Sequence, residues 1–556
     1  MELRSKIADL DRLGLIIKAF SLAGFGDLFK RMGLEAAAER TGKILGWKHA
    51  EDIAHLDRPQ RLRRLFEFLG PTFVKLGQIL ATRPDLFGPE WISEFEKLQS
   101  QAPHLDFKEL RPQIEKDLGA PLEEIFQEVD PEPLAAASLA QVHRATLKDG
   151  TKVILKIQRP GIRASIESDM HLLAYLASLA EKKIPELATY HPQKVVQQFV
   201  KSLRNELNFV TEGQNAEQVA ASFKDDDRIV IPKVYWEWTK ERIIVQEFVD
   251  GIPGVNIKTI DEAGMDRKRL AQTAAEAVLK MIMVDGMFHA DPHPGNFFIL
   301  PGERIAFIDF GMIGRLSWVR REQIMKLLLA LMRNDAEGLC MVLLQWSGRE
   351  GEDPGDLLED VDEFLNRYSG KSAGRTNLSA MVGELLGLVR NNHLSMPPDQ
   401  AMLLKVLVSL EGAIKKLDPS FDMMVAMHPT LQEAVIRQFS PRALGERGLK
   451  VLTQYLELFT DLPKEIRRGI QTVKTGNLRV RIDLNQLDNL QKHLTRASNR
   501  LAVSAITSAL IVGISIIVAF GKAPGFGGVN LYNSFVIGAI TGGALILFSI
   551  WRDKAK

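Results

Sequence analysis

Cysteine is almost missing from this sequence, which has one residue of that type, Cys340, in 556 positions. A single cysteine cannot form an intrachain disulfide or supply a cysteine-ligated metal site, so both are excluded. Cys340 lies in an apolar, helical stretch, which predicts a core or surface thiol rather than a nucleophile. Such sparing use of cysteine is what a chain facing the cytosol shows.

An excess of either charge is missing as well, since 71 Lys and Arg residues stand against 70 Asp and Glu residues. This balance gives no reason to expect a nucleic acid partner. No internal repeat is visible, and Lys18 and Asp27 interrupt the mildly apolar run at 13–29. We therefore predict an amphipathic surface helix there rather than a signal peptide. The length of the chain predicts two or more domains.

Charge is absent from two long apolar runs near the carboxyl end, residues 501–520 and 529–551. Runs of this length predict a transmembrane hairpin. Basic residues flank the pair on both sides, namely Arg496, Arg500, Arg552, Lys554 and Lys556, while the break between the runs carries only Lys522. The positive-inside bias then predicts a multi-pass protein of the cytoplasmic (inner) membrane, with the preceding chain in the cytoplasm. A buried hydrophobic hairpin of a soluble domain is the alternative.

Oxygen-bearing side chains are concentrated at 288–311, where a Pro-fixed loop leads into a strand, a tight turn and a second strand. The loops carry Asp291, Asn296 and Asp309, and such oxygens suit Mg²⁺ held together with substrate phosphates. An Asp outside the metal shell can orient or deprotonate a hydroxyl. Taken alone, an Asp of this kind is more often a turn residue or a helix cap. The two loops together favour phosphoryl-transfer chemistry, and His289 and His293 are interpreted as structural.

A lysine in an apolar strand follows a strong hairpin signal. The pattern predicts strands at Ala140–Leu147 and Lys152–Gln158, joined by the Asp149-Gly150 turn. Lys156 needs a partner on its face of the strand, and Glu206 and Glu212 are the candidates. A snorkelling Lys and surface acids are the alternatives.

The order of elements predicts an α+β, bilobal protein-kinase-like fold. Helices are predicted at 107–118, 162–182, 192–217 and 267–285, strands at 228–238 and 242–248, and further helices containing 324–332, 357–368 and 401–414. The predicted domains are an N-terminal helical extension (1–105), an N-lobe (106–250), a helical C-lobe (251–460), a basic linker (461–500) and two transmembrane helices (501–551).

The sequence resembles the UbiB/ADCK family of atypical protein-kinase-like proteins, in particular its bacterial UbiB-like members, which are associated with ubiquinone and related prenylquinone biosynthesis. The motifs that carry the resemblance are Lys75-Leu76-Gly77-Gln78, Ala135-Ala136-Ala137-Ser138, Val153 to Gln158, His289 to Asn296 and Asp309-Phe310-Gly311. One departure is Asn208, where the family often has Asp, and an amide cannot supply that negative charge.

The resemblance implies a role for each matching residue. Lys156 would contact phosphates and pair with Glu212, Asp291 would stand in the catalytic-base position, and Asn296 and Asp309 would hold Mg²⁺. ATP would lie against a hinge at 246–249 and an Ala-rich loop; the implied nucleotide contacts are Leu134, Ala135, Ala136, Ala137, Ser138, Leu139, Ala140, Gln141, Val142, Lys156, Glu247 and Val249. Lys75, Gln78 and Glu206 would close the entrance that a protein substrate uses in an ordinary kinase.

Three functions are compatible with the predicted kinase-like fold and nucleotide site. The first is an ATP-binding, Mg²⁺-dependent kinase-like ATPase at the membrane that supports prenylquinone biosynthesis, with membrane lipid, prenylquinone precursors and membrane-bound quinone-biosynthesis enzymes as partners. The second is a kinase that phosphorylates a separate protein or small molecule. The third is a nucleotide-sensing scaffold without turnover.

Overall fold

A computed structural model describes residues 2–34, 55–83, 86–98, 103–188, 192–290, 292–349, 353–368 and 377–438. Asp291, the predicted linker at 461–500 and the predicted hairpin at 501–551 lie outside these residues. Within the described ranges, no helix is both long and apolar enough to cross a membrane.

Helices form the N-terminal extension of the chain. They are α1 (Glu2–Phe20), α2 (Gly26–Met32), α3 (Arg58–Leu69), α4 (Pro71–Leu80) and α5 (Pro89–Glu96), with a π-helical turn at Ser21–Phe25 between the first two. The Asp57 side chain caps α3 by accepting a hydrogen bond from the Gln60 N–H at 2.9 Å. Pro71 occupies the first turn of α4, as predicted.

Gly77 in α4 marks a close approach between elements of this extension. A Cβ at this position would lie 2.2 Å from Leu98 Cδ1 and 2.7 Å from Phe66 Cδ2. Phe66 and Leu98 are both buried, so neither side chain has open space to move into. The glycine of the Lys75-Leu76-Gly77-Gln78 motif is therefore a packing requirement.

The N-lobe is built on a four-stranded antiparallel sheet in the order β1-β2-β3-β5. Its elements are α6 (Phe107–Leu118), α7 (Leu122–Ile125), β1 (Phe126–Ala136), β2 (Ala140–Leu147), β3 (Lys152–Gln158), α8 (Ile162–Lys183), α9 (Pro185–Ala188), α10 (Pro192–Glu206), α11 (Phe209–Ser222), β4 (Ile229–Val230) and β5 (Ile243–Glu247). The predicted hairpin of β2 and β3 is confirmed. Strand β1 was not predicted.

Two predicted elements of this lobe were wrong in extent. The single helix predicted at 192–217 is two helices, because Asn208 leaves helical geometry (φ −125°, ψ 98°) and caps α11. The strand predicted at 228–238 is reduced to β4, which pairs in parallel with β9 (Arg304–Phe307) further along the chain. Beyond β4, Val234 makes only an isolated bridge to Gln246.

The C-lobe contains two small sheets and a large helical core. Its elements are β6 (Ile252–Pro253), α12 (Ile257–Glu262), α13 (Arg267–Lys280), β7 (Met287–His289), β8 (Phe297–Leu300), β9 (Arg304–Phe307), β10 (Ile313–Arg315), α14 (Trp318–Arg333), α15 (Ala336–Trp346), α16 (Asp356–Tyr368), α17 (Leu378–Asn391), α18 (Pro398–Leu417) and α19 (Met423–Gln438). One sheet has the order β4-β9-β8-β6, and β10 pairs with β7.

The helices predicted at 324–332, 357–368 and 401–414 are confirmed within α14, α16 and α18, and the helix predicted at 267–285 is α13 followed by a π-helical turn at Met281–Asp285. Cys340 is a core thiol in α15, and burial raises its pKa to about 11. Its sulfur lies 3.7 Å from the carbonyl oxygen of Leu357.

Candidate active site

A cavity of about 590 Å³ brings together residues from the extension, both lobes and helix α18. Its lining includes the polar side chains of Lys75, Gln78, Ser138, Lys156, Glu206, Glu212, His293, Asn296, Asp309, Lys405 and Ser409. A larger groove of about 950 Å³ is lined by parts of α6 and α8 and the 239–242 turn, and none of the predicted site residues lines it.

Lys156 in β3 is the electrostatic centre of this cavity. Its Nζ donates hydrogen bonds to Glu212 Oε1 at 2.8 Å and Oε2 at 3.0 Å, and it lies 3.6 Å from Asp309 Oδ1. The same amine lies 5.5 Å from the centroid of the Phe209 ring. The pairing of Lys156 with Glu212 joins the N-lobe sheet to helix α11, and the approach of Asp309 brings in the C-lobe.

The charges of this triad depend on one another. Burial favours the neutral form of Lys156, but the carboxylates of Asp309 and Glu212 outweigh it and raise its pKa. Burial raises the pKa of Glu212 to about 7, in spite of Lys156. Burial acts in the same sense on Asp309, but Lys156 and the Gly311 N–H, which donates to Oδ1 at 3.0 Å, hold its pKa below the ordinary range. Lys156 and Asp309 are therefore charged at neutral pH.

Two hydrogen bonds position helix α11, one before Glu212 and one after it in the sequence. Asn208 Oδ1 accepts a hydrogen bond from the Val210 N–H at 3.0 Å and starts the helix one turn before Glu212. Asn215 Nδ2 donates to the Phe310 carbonyl oxygen at 3.1 Å, which ties the helix to the Asp309-Phe310-Gly311 loop. Sequence reasoning did not single out Asn215.

Asn296 and Asp309 face the cavity from two adjacent loops. Asn296 ends the 3₁₀ turn Pro294–Asn296, and Asp309 follows β9. The loops are aligned because Phe297 in β8 pairs with Phe307 in β9, and the Ile308 N–H donates to the Asn296 carbonyl oxygen at 3.1 Å. An amide and an ionised carboxylate lining one cavity are a donor set that fits Mg²⁺. Asp291 of the same loop lies outside the described residues.

The predicted Ala-rich loop is a strand end followed by a tight turn. Ala135 and Ala136 belong to β1 and pair with Val142 and Gln141, so only residues 137–139 form the turn. The Ala137 N–H closes it by donating to the Ala140 carbonyl oxygen at 2.8 Å. Leu134, at 43% exposure, is turned to solvent.

Three contacts fasten this turn to its surroundings. Arg159 donates from Nε to the Ala137 carbonyl oxygen at 2.9 Å and from its backbone N–H to that of Leu139, also at 2.9 Å. Leu139 is buried in the same hydrophobic core as the helices of the extension. Ser138 is buried at the cavity with a hydroxyl that has no hydrogen-bond partner among the described residues. That hydroxyl is available to a ligand.

Several of the other predicted nucleotide contacts have structural partners or lie elsewhere. Gln141 is fully buried, and its amide exchanges hydrogen bonds with the backbone of Leu105 at 2.5 and 3.2 Å. Glu247 ends β5 opposite Val153. Neither Glu247 nor Val249 is part of the cavity lining.

The extension closes one side of the cavity. Lys75 pairs with Glu206 at the end of α10, and both side chains are largely buried. Gln78 Nε2 donates to the Leu98 carbonyl oxygen at 3.0 Å. The three residues predicted to close the entrance thus all line the cavity.

Lys405 and Ser409 were missed by sequence reasoning. They lie one turn apart on α18, far along the chain from the kinase-like motifs. The available signal was weak: Lys405 is the one charged residue in the apolar stretch 401–410.

Family comparisons match three parts of the chain. The ABC1 atypical kinase-like domain matches residues 97–343, the UbiB helical domain matches 361–422, and the ABC1/UbiB kinase-like C-terminal domain matches 485–552. A "Probable protein kinase UbiB" of Marinobacter nauticus is 32% identical over 76% of this chain and 78% of its own. The chain belongs to the ABC1/UbiB family of atypical kinase-like proteins.

Two further proteins are similar to this chain. An uncharacterised protein of Synechocystis is 34% identical over 68% of this chain and 99% of its own. Among solved structures, a Mycobacterium tuberculosis protein in complex with erythromycin is 23% identical over 62% of this chain and 87% of its own, with a TM-score of 0.45. The α+β kinase-like fold agrees with the match to the ABC1 atypical kinase-like domain, and α18 lies within the match to the UbiB helical domain.

Proposed function

We propose that this protein binds ATP with Mg²⁺ in the 590 Å³ cavity and turns it over as an atypical kinase-like ATPase at the membrane, in support of ubiquinone or another prenylquinone biosynthesis. The observation that carries the proposal is the position of Lys156. It bridges Glu212 and Asp309 in a cavity that Asn296 also lines. Such a lysine neutralises phosphate charge where phosphoryl transfer is mostly positioning and electrostatics.

The donors of the cavity fit a metal nucleotide. Asp309 and Asn296 would hold Mg²⁺, which neutralises charge on the phosphates when bound. Lys156 would hold the phosphates, and the Ser138 hydroxyl, which has no partner among the described residues, would donate to them. Asp291 is proposed for the catalytic-base position on the strength of its motif.

The fixed conformation of the Ala turn (residues 137–139) supports a mode of nucleotide binding that differs from that of a protein kinase. Ala137 lacks the freedom that glycine has, and Arg159 and Leu139 fix the turn from two sides. A turn fixed in this way cannot close over phosphates as a flexible glycine-rich loop does.

The extension supports ATP turnover or a small acceptor over a protein acceptor. Lys75 and Gln78 face the cavity from α4, and the pair of Lys75 with Glu206 lies across one of its sides. A protein segment would have to displace that pair before it reached Lys156 and Asp309. Kinase activity on a separate acceptor and nucleotide sensing without turnover are therefore the second and third candidates.

The membrane and quinone parts of the proposal rest on the sequence and the family. The apolar runs at 501–551 fall within the match to the ABC1/UbiB kinase-like C-terminal domain at 485–552. We propose that they anchor the chain in the cytoplasmic membrane, near lipid-soluble quinone precursors and the enzymes that modify them.

Purified protein in lipid vesicles with Mg²⁺ and radiolabelled ATP tests the proposal. Phosphate release without a labelled acceptor supports the ATPase, and a labelled acceptor supports the kinase. Retained nucleotide binding with neither product supports the scaffold. Lys156→Met should abolish binding or turnover, while Lys152→Met, at an exposed position on the same strand, serves as the matched control. Equal activity in both variants would overturn the proposal.

A further inference from the structure

Helix α18 contributes two polar side chains to the cavity. Lys405 and Ser409 are four residues apart, so they share one face of the helix, and both are half-buried at the cavity wall. Neither belongs to a motif that sequence reasoning connected with phosphoryl transfer. The UbiB helical domain, which contains α18, therefore supplies part of the cavity wall.

The backbone beneath Lys405 is rigid. Its neighbours Leu404 and Val406 are buried in the C-lobe core. At the start of α18, Gln400 Nε2 donates to Gln323 Oε1 of α14 at 2.7 Å. Near its end, Glu411 accepts hydrogen bonds from the backbone N–H groups of Leu378 at 3.1 Å and Ser379 at 2.7 Å. A charge on such a helix is held in one place, which is what a binding group requires.

The charges of the cavity call for a further cation when a nucleotide binds. Lys75 is paired with Glu206, and Lys156 is paired with Glu212 and approached by Asp309. Glu96 also lines the cavity, so four carboxylates of the described lining (Glu96, Glu206, Glu212 and Asp309) stand against Lys75 and Lys156. A triphosphate with Mg²⁺ keeps a net negative charge, which these groups do not offset. Lys405 is the lysine that the opposite, C-lobe side adds to the lining.

The order of elements indicates which end of a nucleotide Lys405 meets. The Ala turn and Lys156 are on the N-lobe, and Asp309 stands at the junction of the lobes. Helix α18 packs against β10, which begins two residues after Gly311. Phosphates that run from the Ala turn past Asp309 reach α18 last.

We propose that Lys405, assisted by Ser409, binds the terminal phosphoryl group of the nucleotide, which makes the helical domain part of the phosphoryl-transfer site. The inference rests on the proposed nucleotide function. It assigns to Lys405 the recognition of a triphosphate as opposed to a diphosphate, while Lys156 binds both.

Binding measurements with the full chain in detergent separate these roles. Isothermal titration with Mg²⁺ and either ADP or a non-hydrolysable ATP analogue gives two dissociation constants per variant. Lys405→Ala should raise the dissociation constant of the ATP analogue about tenfold or more, as the loss of a charge-assisted hydrogen bond does. The dissociation constant of ADP should change by no more than about twofold. Lys405→Arg should retain much of the preference for the ATP analogue over ADP. Ser409→Ala should reduce that preference less than Lys405→Ala does.

The matched control is Lys416→Ala, at an exposed position on the same helix, which should bind both nucleotides like the original protein. Equal loss of ADP and ATP affinity in Lys405→Ala, or no loss of either, would overturn the inference. If the original protein binds neither nucleotide, the proposed function itself fails. Lys156→Met, which should weaken both nucleotides, makes the two failures distinguishable.

Discussion

Asn208 caps the helix that presents Glu212 to Lys156: its Oδ1 accepts the Val210 N–H at 3.0 Å. The residue thus has a structural role that an uncharged amide fills as well as a carboxylate does, because Asn and Asp are both strong helix caps. Its position between α10 and α11 also separates Glu206, which meets Lys75, from Glu212, which meets Lys156.

Removal of this cap should loosen the site. Asn208→Ala should lower the free energy of unfolding by about 1 kcal/mol, the usual cost of a lost cap, and weaken Mg²⁺-ATP binding because Glu212 is less well placed. Thermal melts and nucleotide titrations measure the two effects. Asn208→Asp keeps the cap and should melt like the original protein; a melting temperature as low as that of the Ala variant would contradict the capping role.

Asp309→Asn should abolish Mg²⁺-dependent nucleotide binding. The change removes the ionised oxygen that is proposed to hold the metal and also one of the two carboxylates near Lys156. Titration of ATP with and without Mg²⁺ measures the effect. The variant should lose the difference between the two titrations, and a full Mg²⁺ dependence would refute the metal assignment.

Gly77→Ala should disrupt the extension. The added Cβ would meet Leu98 and Phe66 at distances no real side chain tolerates, so α4 has to shift and carry Lys75 with it. We expect a loss of roughly 1–3 kcal/mol of stability, as overpacked cores show, together with altered nucleotide affinity. Gly383→Ala, in an exposed position of α17 with open space at the Cβ, is the control and should be neutral or slightly stabilising.

Glu411 makes the stability of the helical domain dependent on pH. Burial favours its neutral form, but hydrogen bonds from Ser379 and Lys415 outweigh burial and lower its pKa from the ordinary value of 4.5. A carboxyl with a lowered pKa stabilises the folded state above its ordinary pKa and loses that contribution as the pH falls through the folded value.

Glu411→Gln should therefore have a lower melting temperature than the original protein at pH 7. The expected loss in the free energy of unfolding is about 1–3 kcal/mol. The difference should narrow once the pH falls below 4.5. Melting curves of both proteins from pH 7 down to pH 3.5 or so provide the measurement. A difference that stays constant over this range would show that the charge of Glu411 has no part in it.

Local signals predicted much of the fold. The Asp149-Gly150 signal predicted the β2–β3 hairpin, although the loop that joins the strands is not a two-residue turn but has three residues, 148–150, with Gly150 at a positive φ of 85°. Strand β1 escaped prediction because Pro131 and Pro133 argue against a strand interior. They are tolerated because β1 is the edge of its sheet and has register shifts at these residues.

Site residues that belong to a continuous sequence motif could be predicted. Site residues that only tertiary packing brings together could not. The approach of Lys156 to Glu212 spans α8 and α10; the residue pattern left Glu206 and Glu212 both open as partners, and only the family resemblance chose Glu212. Lys405 carried no such pointer, because nothing in the sequence of α18 says that it packs beside β10. The same holds for Asn215, whose bond to Phe310 depends on the docking of α11 against the C-lobe.

Leu139 connects ligand affinity with the attachment of the extension. The residue is part of the Ala turn and also part of the core of the N-terminal helices. A ligand whose binding displaces Leu139 would change the docking free energy of the extension, and thermodynamic reciprocity then requires the docked extension to change the affinity of that ligand by the same factor. A lipid or protein that binds α1 to α5 and displaces them would thereby change the affinity of the nucleotide site without contacting it.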